Sequence, residues 1–226
     1  MKIKVGSRRS PLARAQVEEV LVAIRSFYPQ IAFDVELADS TGDLDKKTSL
    51  RSLGKTDFFT KEIDEMVLQG KCRIGIHSAK DLPDPIPKGL CIVAITLGLT
   101  SSDSLVLRMT QDFKALKKGA VIATSALRRE EAVQALCPDQ QFSFIDLRGT
   151  IGERLSLLDK GVADGVVVAE CALIRLGLTH LNRVKLPGDT TPLQGQLAIL
   201  AREGDQEMIA LFKDLDTRVY TYTQAT

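Results

Sequence analysis

The chain has 226 residues, 44% hydrophobic and 26% charged, with a formal net charge of +1. That length holds one large domain or two small ones, each with its own core, and so small a charge excludes a bulk field for nucleic acid or an acidic membrane. Apolar runs are far too short to span a bilayer, the opening Met-Lys-Ile-Lys-Val-Gly lacks a signal peptide's apolar core, and a cytoplasmic location is the expectation. The four cysteines, Cys72, Cys91, Cys137 and Cys171, and the two histidines, His77 and His180, show no CxxC or Cys/His ligand spacing. No metal site and no Cys–His nucleophile pair is therefore expected. Cys72 borders, and Cys91 lies within, an apolar strand-like segment, so both read as buried, reduced thiols.

In chain order, Ile3 to Val5 reads as a first strand. Ser10 then suits an N-cap and Pro11 the first helical position. Ala13, Val17, Val20, Leu21 and Ile24 form a helical stripe, and Ile31, Phe33, Val35 and Leu37 alternate as a strand. The loop of this strand-helix-strand unit carries Arg8, Arg9, Ser7 and Ser10 at a helix N-terminus, where backbone N–H groups favour anions. A capped helix with exposed arginines is the competing reading. Thr41-Gly42-Asp43 opens a polar loop running to about Leu50. Gly54-Lys55-Thr56 fails as a P-loop, because the required first glycine falls at Ser49 and no strand leads into it. No GxGxxG fingerprint occurs.

Phe59, Ile63, Met66 and Val67 mark a helix that Gly70 stops. Ile74 and Ile76 lie on one face of a short strand. After His77, Ser78, Lys80 and Asp81 cluster, and Pro83, Pro85 and Pro87 forbid helix or central strand. A polar cluster just past the carboxyl end of a buried strand is where open α/β sheets place ligands. The same residues also suit a solvated corner with an ordinary Lys–Asp pair.

Leu90 to Ile95 is a buried strand by composition, and Thr96 to Asp103 a polar connector that suits a domain crossing. Leu105 to Leu107 and Ala120 to Ala123 read as strands. Thr124-Ser125-Ala126-Leu127-Arg128-Arg129 then repeats the first loop's chemistry, with a helix starting near Ser125. Phe142 to Ile145 is a strand ending in Asp146-Leu147-Arg148-Gly149-Thr150, followed by a helix with Arg154, Leu155 and Leu158. Val166 to Val168 is a strand, and Glu170 to Leu176 a short helix capped by Gly177. Alternating strands and helices argue for an α/β fold with mostly parallel sheets. If the arginines after these strands converge, they make a site for a ligand with many carboxylates or phosphates. Asp81 among them is a carboxylate suited to stabilising a cationic intermediate.

These segments resemble the porphobilinogen deaminase (hydroxymethylbilane synthase) family. The resemblance is carried by Ser7-Arg8-Arg9-Ser10-Pro11-Leu12-Ala13, Gly42-Asp43, Phe59 with Lys61-Glu62, and His77-Ser78-Ala79-Lys80-Asp81-Leu82-Pro83. It continues through Thr124 to Arg129, Leu147-Arg148-Gly149, Arg154-Leu155 and Arg175-Leu176-Gly177-Leu178, in the family's order from residue 3 to about 202. It implies two lobes like those of periplasmic binding proteins, with residues 1–97 and 191–226 in the first and 98–190 in the second, facing a cleft. It implies an enzyme that joins four porphobilinogens head to tail in tetrapyrrole and haem biosynthesis, with ammonia released. Asp81 is then the catalytic carboxylate, assisting proton transfer and stabilising the azafulvene-like cation. Arg8, Ser10, Ser78, Lys80, Thr124, Ser125, Arg128, Arg129, Arg148 and Arg154 then bind the acetate and propionate groups of substrate and cofactor.

The sequence also departs from the family. Its third domain, whose Gly-Cys loop holds a dipyrromethane cofactor through a thioether, would begin about where this sequence stops at Thr226, so a truncated form lacking that domain is expected. None of the four cysteines sits in a matching motif. The family's double serine is Ser125-Ala126, the usual asparagine after Arg-Gly is Thr150, and Gly-Lys-Gly-Leu-Phe is altered to Lys55-Thr56-Asp57-Phe58-Phe59. The usual Gly-Gln-Gly-Ala reads Leu193-Gln194-Gly195-Gln196. The alternative function is a catalytically impaired two-lobed binder of a linear pyrrole or other polycarboxylate. Oligomeric state is not legible in the sequence.

Overall fold

The computed structural model describes residues 1–49, 51 and 56–218. Gly54 and Lys55, weighed above as part of a P-loop, lie outside those residues. The chain opens with β1 (Lys2–Arg8), α1 (Pro11–Phe27) and β2 (Ala32–Ala38). Ser10 caps α1 by accepting from the Ala13 N–H at 3.3 Å, with Pro11 in the first turn. The stripe Ala13, Val17, Val20, Leu21 and Ile24 is buried against the sheet. Each valine, leucine or isoleucine so buried contributes about 1.5–3 kcal/mol. In place of the expected polar loop, residues Thr41–Leu44 form a single helical turn, α2. Ser40 and Asp43 close it reciprocally: the Asp43 N–H donates to Ser40 Oγ at 3.2 Å and the Ser40 N–H to Asp43 Oδ2 at 3.1 Å.

Next come α3 (Lys61–Leu68), β3 (Ile74–Ser78), a 3-10 turn over Ala79–Asp81, β4 (Leu90–Ile95) and β5 (Asp103–Leu107). The chain continues with β6 (Val121–Ala123), α4 (Leu127–Leu136), β7 (Ser143–Ile145), α5 (Ile151–Asp159), β8 (Gly165–Ala169) and α6 (Glu170–Arg175). β9 (Arg183–Lys185), β10 (Leu197–Arg202) and α7 (Gln206–Phe212) complete the described elements. Internal contacts divide the chain into two units: Met1–Leu44, Lys55–Leu99 and Gly195–Thr226 form one, and Asp45–Gly54 with Thr100–Gln194 the other.

Each unit holds a five-stranded sheet, in the order β2-β1-β3-β10-β4 in the first and β7-β6-β8-β5-β9 in the second. In the first sheet only β10 is reversed, antiparallel to both β3 and β4. In the second only β5 is reversed, antiparallel to β8 and β9. The reversed strand is in each case the first that the chain builds after passing from one unit to the other. The remaining strands run in one direction, so their carboxyl ends share an edge.

Both sheets are covered on both faces, as mostly parallel sheets require. In the first unit, Ile3, Val5, Ile74, Ile76 and Ile199 pack with α1 and with Met208 and Phe212 of α7. Val67 of α3 packs with Leu90, Ala198 and Leu200 on the other face. In the second, Leu105, Leu107 and Val167 face Val133 of α4, while Val106, Val166 and Val168 face Leu158 of α5 and Leu173 of α6. The split matches the strand period of two.

Candidate functional site

In the first unit, β1 and β3 are parallel neighbours, so the residues at their carboxyl ends share one edge of the sheet. Arg8 is the last residue of β1, Ser10 caps α1, Ser78 ends β3, and Lys80 and Asp81 lie in the adjoining 3-10 turn. All five are half-buried. Arg8 donates through Nε to Asp43 Oδ2 at 2.9 Å and through Nη2 to Asp43 Oδ1. Its guanidinium also lies over the Phe59 ring, 4.8 Å from the centroid. Gly42 makes this approach possible: a Cβ there would stand 2.2 Å from the Phe59 ring. Burial pushes the Asp43 carboxyl up, but the Arg8 bonds and charge and the Ser40 bonds outweigh it and hold the group below its ordinary value.

Ser78 is held by Gln16 of α1, whose Nε2 donates to Ser78 Oγ at 2.8 Å. Behind the strand, His77 Nε2 lies 3.1 Å from Asp64 Oδ1, both side chains almost fully buried. Their atoms lack hydrogen-bond geometry, so this is proximity rather than a formed bond. Asp81 has no hydrogen-bond or ion-pair partner among the described residues, in contrast to Asp43. A half-buried carboxylate left over at the end of a central strand, one residue from Lys80 and on the same edge as Arg8, is a group available to a ligand.

In the second unit, β6 and β7 are parallel neighbours. Thr124 comes directly after β6 and is fully buried; its N–H donates to the Ile145 carbonyl at 2.9 Å, and Arg51 donates to its carbonyl at 3.2 Å. α4 begins at Leu127 rather than near Ser125, because the Ser125 hydroxyl is engaged across the edge. It donates to Asp146 and to the Leu147 carbonyl at 2.7 Å, and accepts from the Leu147 N–H at 2.8 Å. The cap position falls to Ala126, which makes no side-chain cap bond.

Arg128 and Arg129 sit in the first turn of α4 and converge on Asp103, the first residue of β5. Arg128 Nη1 donates to Asp103 Oδ2 at 2.5 Å and Arg129 Nη2 to Asp103 Oδ1 at 2.6 Å. Burial alone would push the Asp103 carboxyl up, and the two arginines hold it down instead. Arg148 lies just past β7 and donates to the Asp45 carbonyl; Arg154, in the first turn of α5, donates through Nε to the Gly149 carbonyl at 2.7 Å. The turn between them needs its glycine: Gly149 has φ 90°, and a Cβ there would meet Glu153 Oε2 at 2.6 Å. Thr150, in place of the family's asparagine, still caps α5, accepting from the Glu153 N–H at 3.3 Å while Glu153 accepts from its N–H at 2.7 Å.

Within each unit the residues singled out from sequence therefore lie along one sheet edge. The carboxylates that hold the arginines, Asp43 and Asp103, and the amides Gln16 and Gln194 were not among them. Gln16 carried a signal: it is a polar residue on the otherwise apolar stripe of α1. Among the described residues no group of three or more His, Cys, Asp or Glu side chains could hold a metal ion. Cys72 and Cys171 are buried, and Cys91 and Cys137 half-buried. Burial pushes the Cys72 and Cys91 thiols up, away from the reactive thiolate.

A family model described as "Porphobilinogen deaminase, dipyromethane cofactor binding domain" matches residues 3–210. A probable porphobilinogen deaminase of Chlamydia pneumoniae is 39% identical over 201 residues, which cover 89% of this chain and 84% of that protein. The porphobilinogen deaminase of Bacillus subtilis (strain 168) is 35% identical over 223 residues, 97% of this chain and 70% of that one. Among solved structures, the BenM effector binding domain with its effector benzoate superposes with a TM-score of 0.54 at 13% identity, covering 100% of this chain and 94% of that one. At that identity the likeness concerns the fold, a two-lobed α/β architecture.

Proposed function

The chain belongs to the porphobilinogen deaminase family, and from that footing we propose that it joins four porphobilinogens into hydroxymethylbilane with release of ammonia, in tetrapyrrole biosynthesis. The observation that carries the reading is Asp81, a half-buried carboxylate on the turn after β3 that no protein cation neutralises through a hydrogen bond or ion pair among the described residues. When the aminomethyl C–N bond breaks, the bonding pair leaves with nitrogen as ammonia and the pyrrole carries the positive charge. A fixed carboxylate beside that charge lowers the barrier, because the interaction is strongest in the transition state. The free α-carbon of a second pyrrole then attacks the exocyclic methylene, a C–C bond forms, and the α-proton is lost to a base, a step that Asp81 suits.

Porphobilinogen brings an acetate and a propionate group, and the arginines at both sheet edges match them. In this proposal Arg8, Ser10, Ser78 and Lys80 bind carboxylates from the first unit, and Thr124, Ser125, Arg128, Arg129, Arg148 and Arg154 from the second. In this proposal residues 1–97 with 191–226 make one lobe and 98–190 the other, whereas internal contacts group Asp45–Gly54 and Thr100–Gln194 together. A cytoplasmic setting belongs to the same proposal; among the described residues no helix is long and apolar enough to cross a membrane.

A dipyrromethane cofactor fits the anion-binding half of this site. Arg129 Nε is buried without a hydrogen-bond partner among the described residues, a donor suited to one of the cofactor's carboxylates. Its covalent attachment does not fit the four thiols, which are buried or half-buried: Cys91 lies in β4, Cys171 in α6, Cys137 at the end of α4 and Cys72 in the connector before β3. When bound, the cofactor supplies a two-ring primer from which the chain of pyrroles grows. Arg128, Arg129, Arg148 and Arg154 would hold its carboxylates. The test is direct: purified protein given porphobilinogen, with and without added dipyrromethane, should release ammonia and form the linear tetrapyrrole. Protein that binds porphobilinogen yet releases no ammonia in either condition would favour the binding-protein alternative.

A further inference from the structure

Asp103 is 2% exposed, and its carboxylate accepts from Arg128 Nη1 at 2.5 Å, Arg129 Nη2 at 2.6 Å and Gln194 Nε2 at 3.0 Å. Two guanidinium groups on consecutive residues repel one another, and sharing one carboxylate is what brings them side by side. The arrangement consumes only part of each fork. Arg128 also donates through Nε to Thr191 Oγ1 at 3.1 Å and through Nη1 to the Asp189 carbonyl at 3.4 Å. Arg128 Nη2 and Arg129 Nη1 have no partner among the described residues, and Arg129 Nε is buried without one. Two positive charges against one negative leave a surplus for an incoming anion.

The chain accepts strain next to this contact. Leu193 has φ 61°, in the left-handed region that disfavours a branched side chain. The next residue is Gln194, 3% exposed, which donates to Asp103 and to the Ser101 carbonyl. Strain of this kind persists where surrounding contacts over-determine it, and such places cluster at ligand sites.

We propose that Asp103 is the positioning residue of the arginine pair: its buried carboxylate aligns Arg128 and Arg129 so that their remaining N–H groups meet a substrate carboxylate in a fixed, parallel geometry. This deepens the proposed function and rests on it. A substrate carboxylate then finds its donors already aligned, and little side-chain freedom is lost on binding. Asp103 touches neither substrate nor reacting atoms; it acts through the arginines.

The experiment is calorimetric titration of the full chain with porphobilinogen, beside thermal melting of each variant. Asp103→Asn removes the charge and turns an amide donor toward a guanidinium. It should weaken binding at least about tenfold, and raise KM more than it lowers kcat. Asp103→Glu keeps the charge and should recover part of the affinity. Gln194→Ala leaves every charge in place and removes one of the two donors to Asp103 Oδ1, leaving Arg129 there; it should weaken binding about two- to threefold, and serves if Asp103→Asn does not fold. A lower melting temperature with unchanged porphobilinogen affinity would make Asp103 a brace for the fold and overturn the inference. Tighter binding by Asp103→Asn would make it a competitor of the ligand and overturn it equally. Wild type that does not bind porphobilinogen would instead refute the functional reading, and this inference with it.

Discussion

Removing the Asp43 carboxylate is the sharpest test of how the first sheet edge is held. Asp43 accepts from Arg8 Nε at 2.9 Å, Ser40 Oγ at 2.8 Å and the Ser40 N–H at 3.1 Å, besides Arg8 Nη2. The Arg8 and Asp43 side chains are 22% and 19% exposed. Opposite charges about 4 Å apart attract by about 4 kcal/mol at an effective dielectric constant of about 20. Desolvation offsets part of this, and a hydrogen bond to a charged group contributes about 1.5–3 kcal/mol net. Breaking one side of a buried pair costs about 3–5 kcal/mol; this pair is reached by water, and the Phe59 ring still accepts the Arg8 charge. Asp43→Ala should therefore cost about 2–3 kcal/mol of unfolding free energy. For a chain of this size that lowers the melting temperature by about 5–10 °C. The control is Asp34→Asn, whose partner Lys2 is 66% exposed; it should leave the melting temperature unchanged. Arg8 also loses its anchor in Asp43→Ala, so porphobilinogen affinity should fall. If Asp43→Ala melts with wild type, or if the Asp34 variant loses as much, the pair does not hold the edge.

Leu193→Gly should raise the melting temperature. It relieves about 1–2 kcal/mol of left-handed strain, against about 0.5–1 kcal/mol of glycine's extra backbone entropy; a fall in melting temperature would show that position 193 is not strained. Acid should destabilise the protein in a definite window. The Asp43 and Asp103 carboxyls are held below their ordinary value of 3.8 in the folded state. They therefore contribute stability that is fully present above 3.8 and is lost as pH falls through their folded-state values. Urea melts from pH 6 downward should show a plateau and then a drop beginning near pH 4 that Asp103→Asn makes shallower. A drop of the same slope in that variant would remove Asp103 from the acid response.

The strand-helix alternation was legible because each face of these elements is buried at its own period. α1 shows it in Ala13, Val17, Val20, Leu21 and Ile24; β2 alternates in sequence at Phe33, Val35 and Leu37, but its burial does not follow and Val35 is exposed. β10 was not legible: Leu197-Ala198-Ile199-Leu200-Ala201 is continuously apolar because it is buried on both faces of the sheet, and such a run fits strand and helix alike. The start of α4 was misplaced by two residues because Ser125, a good cap by type, commits its hydroxyl to Leu147, which only the folded edge brings near. The cations of the candidate site were legible because they come directly after strands. Their carboxylate partners were not, since Asp103 lies 25 residues before Arg128, and Asp43 lies 35 after Arg8. Pairing across strands leaves no spacing in the sequence to read. Leu193 was visible as a departure from the family's glycine, but its cost appears only with its φ of 61°.

The most direct measurement is the rate of ammonia release from porphobilinogen by wild type and by Asp81→Asn, with binding of porphobilinogen measured on both. Asparagine keeps the size and loses the charge that opposes the cation left as ammonia departs, so the loss falls on the transition state. Removing a comparable electrostatic stabiliser costs about 10²–10³ in rate. The account predicts a loss of that size in kcat, with the dissociation constant within about twofold of wild type. Asp81→Asn turning over at the wild-type rate would contradict it, and would move the catalytic charge away from the turn after β3.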